Sequence, residues 1–222
     1  MSHREFKDQL YSQFAVIGQA FANAHRLELL DLLAQGERSV EELAEEAALS
    51  VANTSAHLQV LRRAQFVISD RRGVRVFYRL SDPHVFELWR TLRDVGTARL
   101  AEIDRLVDTY LSDRDAVDAV DSVELARRLE TGDAVILDVR PALEFRQGHI
   151  PGARSVPIDE LEGQLAELPP DRAIVAYCRG PYCVYADEAV ALLRRHGLDA
   201  RRLDQGLPEW RAAGFPVEVE AD

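Results

Sequence analysis

Two cysteines, Cys178 and Cys183, are the residues of this sequence best suited to covalent chemistry. They bound the segment CRGPYC, which follows the apolar run AIVAY and precedes a helical pattern from Val184 to His196. At the N-terminus of a helix, the helix dipole and the free backbone N–H groups stabilise an anion. The sequence therefore predicts a lowered thiol pKa for Cys178, which would make it a nucleophile able to hold a persulfide sulfur.

The residues after Cys178 form the predicted sulfur- and anion-binding loop, which consists of Arg179, Gly180, Pro181, Tyr182 and the second cysteine. Arg179 would add positive charge near the thiolate, and Gly180 lets the backbone turn without steric cost. The alternative interpretation is an inert buried cysteine that follows a core strand.

Cys183 has two interpretations. In the first, its thiolate attacks a Cys178 persulfide and forms a disulfide or a sulfur-bridged link, which gives the site two covalent states. In the second, Cys183 is a small loop residue packed beneath the following helix. A separation of five positions can span the Cα distance of a disulfide, although the fold of the loop could hold the sulfurs apart. Neither the number nor the spacing of the cysteines indicates a zinc site.

The elements that must position this loop are short apolar strands alternating with helices. Strands are predicted at 134–139 and 173–177, with a capped helix at 122–129 before the first of them. Such alternation is typical of an α/β domain.

The second half of the chain resembles the rhodanese superfamily over 121–217, through LDVRPALEFRQGHIPGARSVP, YCRGPYCVYADEA and LDQGLPEWRAAGFPV. The resemblance implies a central parallel sheet, a catalytic Cys178 that carries sulfur, and a six-residue loop whose amides surround that sulfur. It also implies that Asp138 and Arg140 support the site. Cys183 stands where many such sulfurtransferases have a basic or hydroxyl residue, which argues against thiosulfate as the preferred donor. The related phosphatases have an arginine at the position of Val184, so phosphatase activity is not expected.

The first half of the chain follows a helical pattern interrupted by one hairpin. A turn at residues 49–50 separates two short helices, as in a helix-turn-helix, and the hairpin with strands near 66–68 and 74–80 follows as a wing. Predicted helices lie at 6–24, 25–35, 39–48, 51–64 and 83–111.

Polar and basic side chains concentrate on the second of these short helices and on the hairpin. Between residues 62 and 79 there are six arginines against one aspartate, a local charge of +5 in a chain whose net charge is −11. This positive segment can bind the phosphate backbone of a nucleic acid, whereas the net negative charge of the whole chain would repel it. The alternative is a solvated helix in an all-α domain, which leaves the basic hairpin unexplained. The candidate DNA-binding residues are Asn53, Thr54, Ser55, His57, Gln59, Arg62, Arg71, Arg72 and Arg75.

This half resembles the ArsR/SmtB family of bacterial repressors, through AHRLELLDLLAQGERSVEELAEEAALSVANTSAHLQVLRRAQFV and a wing ending in VFYRL. The resemblance implies a homodimer that places two recognition helices on a palindromic operator. Residues 39–43 lack the cysteines of the arsenic sensors. Asp82 and His84 match the first zinc-sensor pair, but Val95 and Ala98 occupy the later ligand positions and cannot bind a metal. We therefore expect no metal and no cofactor.

Together these patterns predict two domains, a mainly α winged helix-turn-helix at 1–115 and an α/β rhodanese-like domain at 119–222, joined by a linker near 112–119. The composition, 47% hydrophobic and 29% charged, is that of a globular protein. Without an apolar stretch long enough for a membrane span or a signal peptide, a cytoplasmic location is expected and no membrane partner.

Three functions remain open from the sequence. The first is a sulfur-responsive transcriptional regulator whose partners are operator DNA, a second copy of the chain and a small-molecule sulfur donor or thiol acceptor. The second is a thiosulfate or sulfane-sulfur sulfurtransferase that uses a Cys178 persulfide and is targeted by its DNA-binding half. The third is a DNA-binding dimer with a degenerate C-terminal module.

Overall fold

The structure is a computed structural model that describes residues 1–111 and 119–220. Contacts divide the chain into two compact units, Met1–Leu92 and Arg93–Asp222. The division lies earlier than the linker proposed at 112–119, most of which falls outside the described residues. It lies earlier because residues from Arg93 onward make contacts with the rest of the second unit.

Four helices of the first unit lie close to their predicted positions, and local side-chain caps explain where several of them begin. Ser39 accepts a hydrogen bond from the backbone N–H of Glu42, and the Glu42 carboxylate accepts one from Ser39, which is the predicted capping box. Ser50 caps the following helix. The helices are α1 (His3–Phe21), α2 (Ala24–Gln35), α3 (Val40–Glu46) and α4 (Val51–Arg63).

The long helix predicted from residue 83 to residue 111 is wrong as a single element. It divides into α5 (Pro83–Arg99) and α6 (Ala101–Tyr110). Leu100 between them has an extended backbone with φ −111° and ψ 91°. The apolar periodicity continues across this residue, so the sequence pattern hides the break.

The wing is a three-stranded antiparallel sheet in the order β1-β3-β2, formed by β1 (Arg38–Ser39), β2 (Val67–Arg72) and β3 (Arg75–Leu80). Gly73 turns the hairpin with φ +63°, in the left-handed region that glycine favours. Two residues are too few for a periodic pattern, so β1 was not predicted.

The second unit contains a five-stranded sheet in which each recorded strand pair is parallel, in the order β4-β8-β7-β5-β6. Alternate residues of β5 enter two different cores, with Leu137 in one and Ile136 in the other, so helices cover both faces. The strands are β4 (Ala119–Val120), β5 (Ala134–Asp138), β6 (Arg154–Ser155), β7 (Ala173–Tyr177) and β8 (Ala200–Leu203). The helices that follow α6 are α7 (Ser122–Thr131), α8 (Ala142–Gln147), α9 (Leu161–Gln164), α10 (Val184–Arg195) and α11 (Leu207–Ala212).

The predicted fold class is confirmed, with a winged helix-turn-helix in the first half and an α/β parallel sheet in the second. Within the described ranges, no helix has the length and apolar character needed to cross a membrane.

Candidate functional site

Cys178 and Cys183 are joined by a disulfide, with their Cα atoms 6.1 Å apart. Cys178 follows the last residue of β7, and Cys183 directly precedes the first residue of α10, so the loop lies between a strand end and a helix N-terminus as predicted. The backbone N–H of Cys183 donates to the Gly180 carbonyl at 3.1 Å, which closes the turn. Cys178 is 1% exposed, whereas Cys183 is half-buried. The structure therefore pairs the two cysteines, whereas the reaction of Cys183 with a Cys178 persulfide stays a prediction.

A buried ion pair supports the strands that lead into the loop. The Arg140 guanidinium donates to both oxygens of Asp138, at 2.9 and 2.5 Å, and also to the Gly148 carbonyl at 2.8 Å. Tyr177, which directly precedes Cys178, donates its hydroxyl to Asp138 at 2.5 Å. Burial first, and the Asp138 charge second, raise the pKa of Tyr177 well above its usual value, so the phenol stays protonated and keeps donating. Asp138, Arg140 and Tyr177 thus form one buried hydrogen-bonded network directly before the loop, and their role in supporting the site stays a prediction.

The positive charge of Arg179 is shared between the loop and a buried carboxylate, that of Glu144. Its guanidinium donates to Glu144 Oε1 from Nε at 2.9 Å and from Nη2 at 2.6 Å, and the Glu144 side chain is 1% exposed. A guanidinium paired with a carboxylate contributes much less potential at a neighbouring sulfur than an isolated one. The loop therefore depends more on backbone dipoles, and less on Arg179, than the sequence indicated.

The second face of the loop is formed by the start of α11. A Cβ atom on Gly206 would lie 2.3 Å from the Arg179 carbonyl carbon and oxygen and 2.5 Å from the Gly180 nitrogen. Only glycine allows this approach, because real Cβ atoms do not come so near to backbone. Glu209 caps the same turn by accepting a hydrogen bond from the Gly206 N–H at 3.0 Å. Gly206 and Glu209 therefore fix the position of the first half of the loop.

Residues of the second half of α5 also touch the loop, within the second unit. Thr97 Oγ1 lies 2.5 Å from the Tyr182 hydroxyl. The Arg93 guanidinium forms an ion pair with Glu209 at 2.8 Å, and the two side chains are 10% and 4% exposed. These contacts link non-adjacent parts of the sequence, and no sequence pattern indicated them.

On α4, the predicted DNA-binding side chains differ in accessibility. Asn53 is exposed at the start of the helix, and Ser55 and His57 are half-buried. Burial, together with Arg26 and His25, lowers the pKa of His57, so the neutral form is favoured near neutral pH. Thr54 is 0% exposed, which removes it from the candidate contacts because its hydroxyl cannot reach DNA.

Gln59, predicted to contact DNA, is directed toward the wing. Its side-chain amide donates to the Tyr78 hydroxyl of β3 at 3.2 Å, so it joins α4 to the wing. In this structure it serves as a brace and does not present a free amide to a base. A half-apolar helix pattern cannot distinguish a polar side chain that faces solvent from one that faces a neighbouring strand.

The predicted arginines of the basic segment are all exposed, but Arg72 is paired with two carboxylates. Arg72 donates to the Glu37 carboxylate at 2.5 and 3.0 Å and to Asp70 at 3.0 Å. Arg71 contacts only the Gly73 carbonyl of its own turn among the recorded hydrogen bonds, at 3.2 Å. Arg62, Arg71 and Arg75 are consequently the better candidates for phosphate contact, because Arg72, at the tip of the hairpin, is paired with Glu37 and Asp70.

The Asp82 and His84 pair interacts internally. His84 donates its backbone N–H to Asp82 Oδ1 at 2.8 Å, and the two side chains form a shorter contact, which raises the pKa of His84 and lowers that of Asp82. Across the residues that the structure describes, no group of three or more His, Cys, Asp or Glu side chains could hold a metal ion.

Comparison with known proteins agrees with both halves of this architecture. A family model described as "Bacterial regulatory protein, arsR family" matches residues 23–69, and one described as "Rhodanese-like domain" matches residues 121–213. The HTH-type transcriptional regulator Rv0324 of Mycobacterium tuberculosis is 44% identical over 97% of this chain and 94% of its own length. The chain belongs to the ArsR family of transcriptional regulators and carries a rhodanese-like domain.

Other similar proteins match one half of this regulator. A sulfurtransferase of Allochromatium vinosum is 34% identical over 46% of the chain and 94% of its own length. A solved structure from Mycobacterium bovis, described as a homodimeric winged helix-turn-helix DNA-binding domain, is 39% identical over 45% of the chain and 91% of that domain, with a TM-score of 0.41. A rhodanese-related protein of Thermoplasma volcanium is 25% identical over 46% of the chain and 98% of its own, with a TM-score of 0.42.

Several site residues of the regulator were absent from the sequence-based set. Glu144, Gly206 and Glu209 lie in the segments that carry the rhodanese resemblance, but their roles depend on contacts between distant segments. The glycine in LDQGLPEW was the one available signal, because a glycine just before a helix marks a possible close backbone approach.

Proposed function

We propose that this regulator senses sulfane sulfur or a thiol oxidant through Cys178, and that the covalent state of Cys178 and Cys183 changes its affinity for operator DNA. The observation that carries the proposal is the disulfide between the two loop cysteines. A pair that can close in the folded protein gives the loop two stable covalent states, and a sensor requires two such states.

The chemistry balances without any resident cofactor. The Cys178 thiolate attacks the outer sulfur of a hydropersulfide donor, RSSH; the donor's S–S bond breaks, RSH leaves, and Cys178 becomes a persulfide. The Cys183 thiolate then attacks the inner sulfur, Cys178 Sγ, and expels HS⁻ as the Cys178–Cys183 disulfide forms. The sulfane sulfur is reduced to sulfide and the two thiols are oxidised. Two equivalents of a cellular thiol reverse the oxidation and leave as a disulfide.

Operator binding is proposed for a homodimer. The described part of the chain leaves a row of apolar side chains exposed on α1 and another on α5, which suits burial against a second copy because a monomer rarely leaves such rows in water. The exposed residues are Phe6, Leu10, Tyr11 and Phe14 on α1, and Leu88, Leu92 and Val95 on α5.

The wing arginines are expected to contact DNA phosphates. Replacing both Arg71 and Arg75 with methionine removes up to two phosphate contacts, and each contact contributes about 0.9 to the slope of log K against log salt. We expect that slope to fall by roughly 1 to 2 in a fluorescence-anisotropy titration across salt concentrations. Arg195→Met, an exposed arginine at the end of α10, is the matched control and should keep the wild-type slope. An unchanged slope in the double variant would remove the wing from the interface.

The sensing proposal is tested by titrating a duplex, selected from a randomised library by the reduced protein, before and after treatment with a hydropersulfide. Allosteric couplings are typically about 5- to 150-fold in affinity, and the wild-type protein should respond within that range. Cys178→Ser should lose the response entirely, and Cys183→Ser should accept sulfur at Cys178, detected by mass, without forming the disulfide. If treatment leaves wild-type affinity unchanged, the sensing function is wrong.

Sulfurtransferase activity is the second candidate, favoured by the 34% identity to the Allochromatium vinosum sulfurtransferase. The two functions differ in turnover, since a sensor needs one sulfur transfer and an enzyme needs many. Cyanide is used as the acceptor because it takes the outer sulfur of the Cys178 persulfide as thiocyanate and regenerates the thiolate without a reductant. Sustained formation of thiocyanate from thiosulfate or a polysulfide, at many equivalents per chain, would favour the enzyme. A single equivalent that stops when the disulfide closes would favour the sensor.

A further inference from the structure

The loop that carries the two cysteines is held at two points by the second half of α5. Thr97 Oγ1 lies 2.5 Å from the hydroxyl of Tyr182, the residue directly before Cys183. The Thr97 hydroxyl also lies 3.0 Å from the Arg93 carbonyl, to which it donates, so Tyr182 is the donor in the contact between the two hydroxyls. The residue next to Cys183 is therefore hydrogen-bonded directly to α5.

The other point of attachment involves Arg93. Its guanidinium forms an ion pair with Glu209, whose carboxylate also accepts a hydrogen bond from the Gly206 N–H. Gly206 in turn packs directly against the Arg179–Gly180 peptide. A Cβ atom on Gly180 would lie 3.8 Å from Arg93 Nη1 and 3.7 Å from Glu209 Oε1, so the ion pair lies beside the loop backbone. Both members of the pair are nearly buried, which leaves little room for the arginine to adjust alone.

The two attachments lie on either side of Pro181, inside the ring that the disulfide closes. Forming that disulfide brings the Cα atoms of the two cysteines to 6.1 Å, and opening it removes the constraint. Because the loop backbone is packed against Gly206 without spare space, it should respond by changing between discrete arrangements and not by gradual deformation.

We propose that Arg93 and Thr97 are positioning residues of the cysteine loop, and that through them the covalent state of Cys178 and Cys183 sets the position of α5. This inference rests on the proposed sensing function. Residues 83–99 form one continuous helix, so a displacement at Arg93 and Thr97 is carried along the helix to the exposed apolar row proposed for dimer contact. The loop state would then change the dimer geometry that presents the two α4 helices to DNA.

The test compares the DNA response of wild-type protein with that of Thr97→Val, Tyr182→Phe and the neutral pair Arg93→Met/Glu209→Gln, on the library-selected duplex. Each hydroxyl variant removes one polar atom from a partly exposed site, so the fold is expected to persist. Thr91→Val is the matched control, since Thr91 lies on the same helix and also donates to a carbonyl four residues before it. We expect the response to hydropersulfide to fall below about twofold in the three variants and to remain at the wild-type value, roughly fivefold or more, in the control.

A second measurement separates transmission from a merely structural role. By linkage, a tenfold coupling between disulfide formation and DNA affinity shifts the midpoint potential of the cysteine pair on DNA by about 30 mV. This shift should be present in wild type and absent in Thr97→Val, although the disulfide still forms in both. If the disulfide no longer forms in Thr97→Val, the residue serves only the loop chemistry and transmission through it is overturned.

The outcomes distinguish this inference from the function on which it rests. If wild type and Thr97→Val respond equally while Cys178→Ser does not respond, the sensing function stands and the role of α5 is overturned. If wild type itself does not respond, both fall.

Discussion

Replacing Arg140 with methionine is expected to lower the free energy of unfolding of the second unit by about 3–5 kcal/mol, the usual cost of leaving one member of a buried ion pair without its partner. Arg140 and Asp138 are both 0% exposed, and the Arg140 guanidinium donates hydrogen bonds to both Asp138 oxygens and to the Gly148 carbonyl. The measurement is urea unfolding followed by the fluorescence of Trp210, which lies in the core of this unit.

The same substitution at an exposed arginine provides the control. Arg127 pairs with Glu124 on the surface of α7, and Arg127→Met should leave the unfolding midpoint within error of wild type. The double variant Asp138→Asn/Arg140→Met should recover part of the loss, because a neutral pair avoids the isolated buried carboxylate. Equal midpoints for Arg140→Met and Arg127→Met would show that the buried network does not stabilise the unit.

The substitution Gly206→Ala, which adds a single methyl group, is expected to slow the formation of the disulfide in the cysteine loop. The added Cβ would meet the Arg179 carbonyl at 2.3 Å, so either the loop or the start of α11 must move. Overpacking of this kind costs about 1–3 kcal/mol in stability. A shift of about 1 Å in reacting groups can lower a rate by about 100-fold, and we expect hydropersulfide to close the disulfide roughly 10- to 100-fold more slowly in Gly206→Ala.

Gly163→Ala is the matched control for this prediction. Gly163 lies in α9, and a Cβ there meets no atom within 4 Å, so alanine should be neutral or slightly stabilising through its better helix propensity. Disulfide closure at the wild-type rate in Gly206→Ala would contradict the close approach on which the prediction depends.

The loop and its immediate support were predictable because each is encoded by a short contiguous pattern. The strand, the CRGPYC segment and the helix follow one another in the chain, and Asp138 and Arg140 lie two positions apart at the end of β5. Glu144, Gly206 and Arg93 were not predictable as site residues. Each reaches the loop from a distant part of the sequence, and a local pattern contains no information about such contacts.

The DNA-binding half shows the same limit in another form. Helix positions and the capping box at Ser39 followed from local propensities, and the structure confirms them. Which polar side chains are accessible to DNA did not follow from these propensities. Thr54 is buried, and Gln59 forms a hydrogen bond with Tyr78 of the wing. The break at Leu100 escaped prediction because an apolar residue continues the helical period even where the backbone leaves it.

The bracing of the wing limits how such a regulator can respond to a signal. Gln59 ties α4 to β3, Arg72 ties the hairpin to Glu37, and Ser39 both pairs with β3 and caps α3. We therefore expect α3, α4 and the wing to move together, which would leave the contacts of each copy with its own half-site unchanged. In a dimer, the distance between the winged units of the two copies could then change, and it must match one helical turn of DNA, about 34 Å. A duplex with one base pair inserted between the half-sites should consequently report the state of the cysteines better than any change within a half-site.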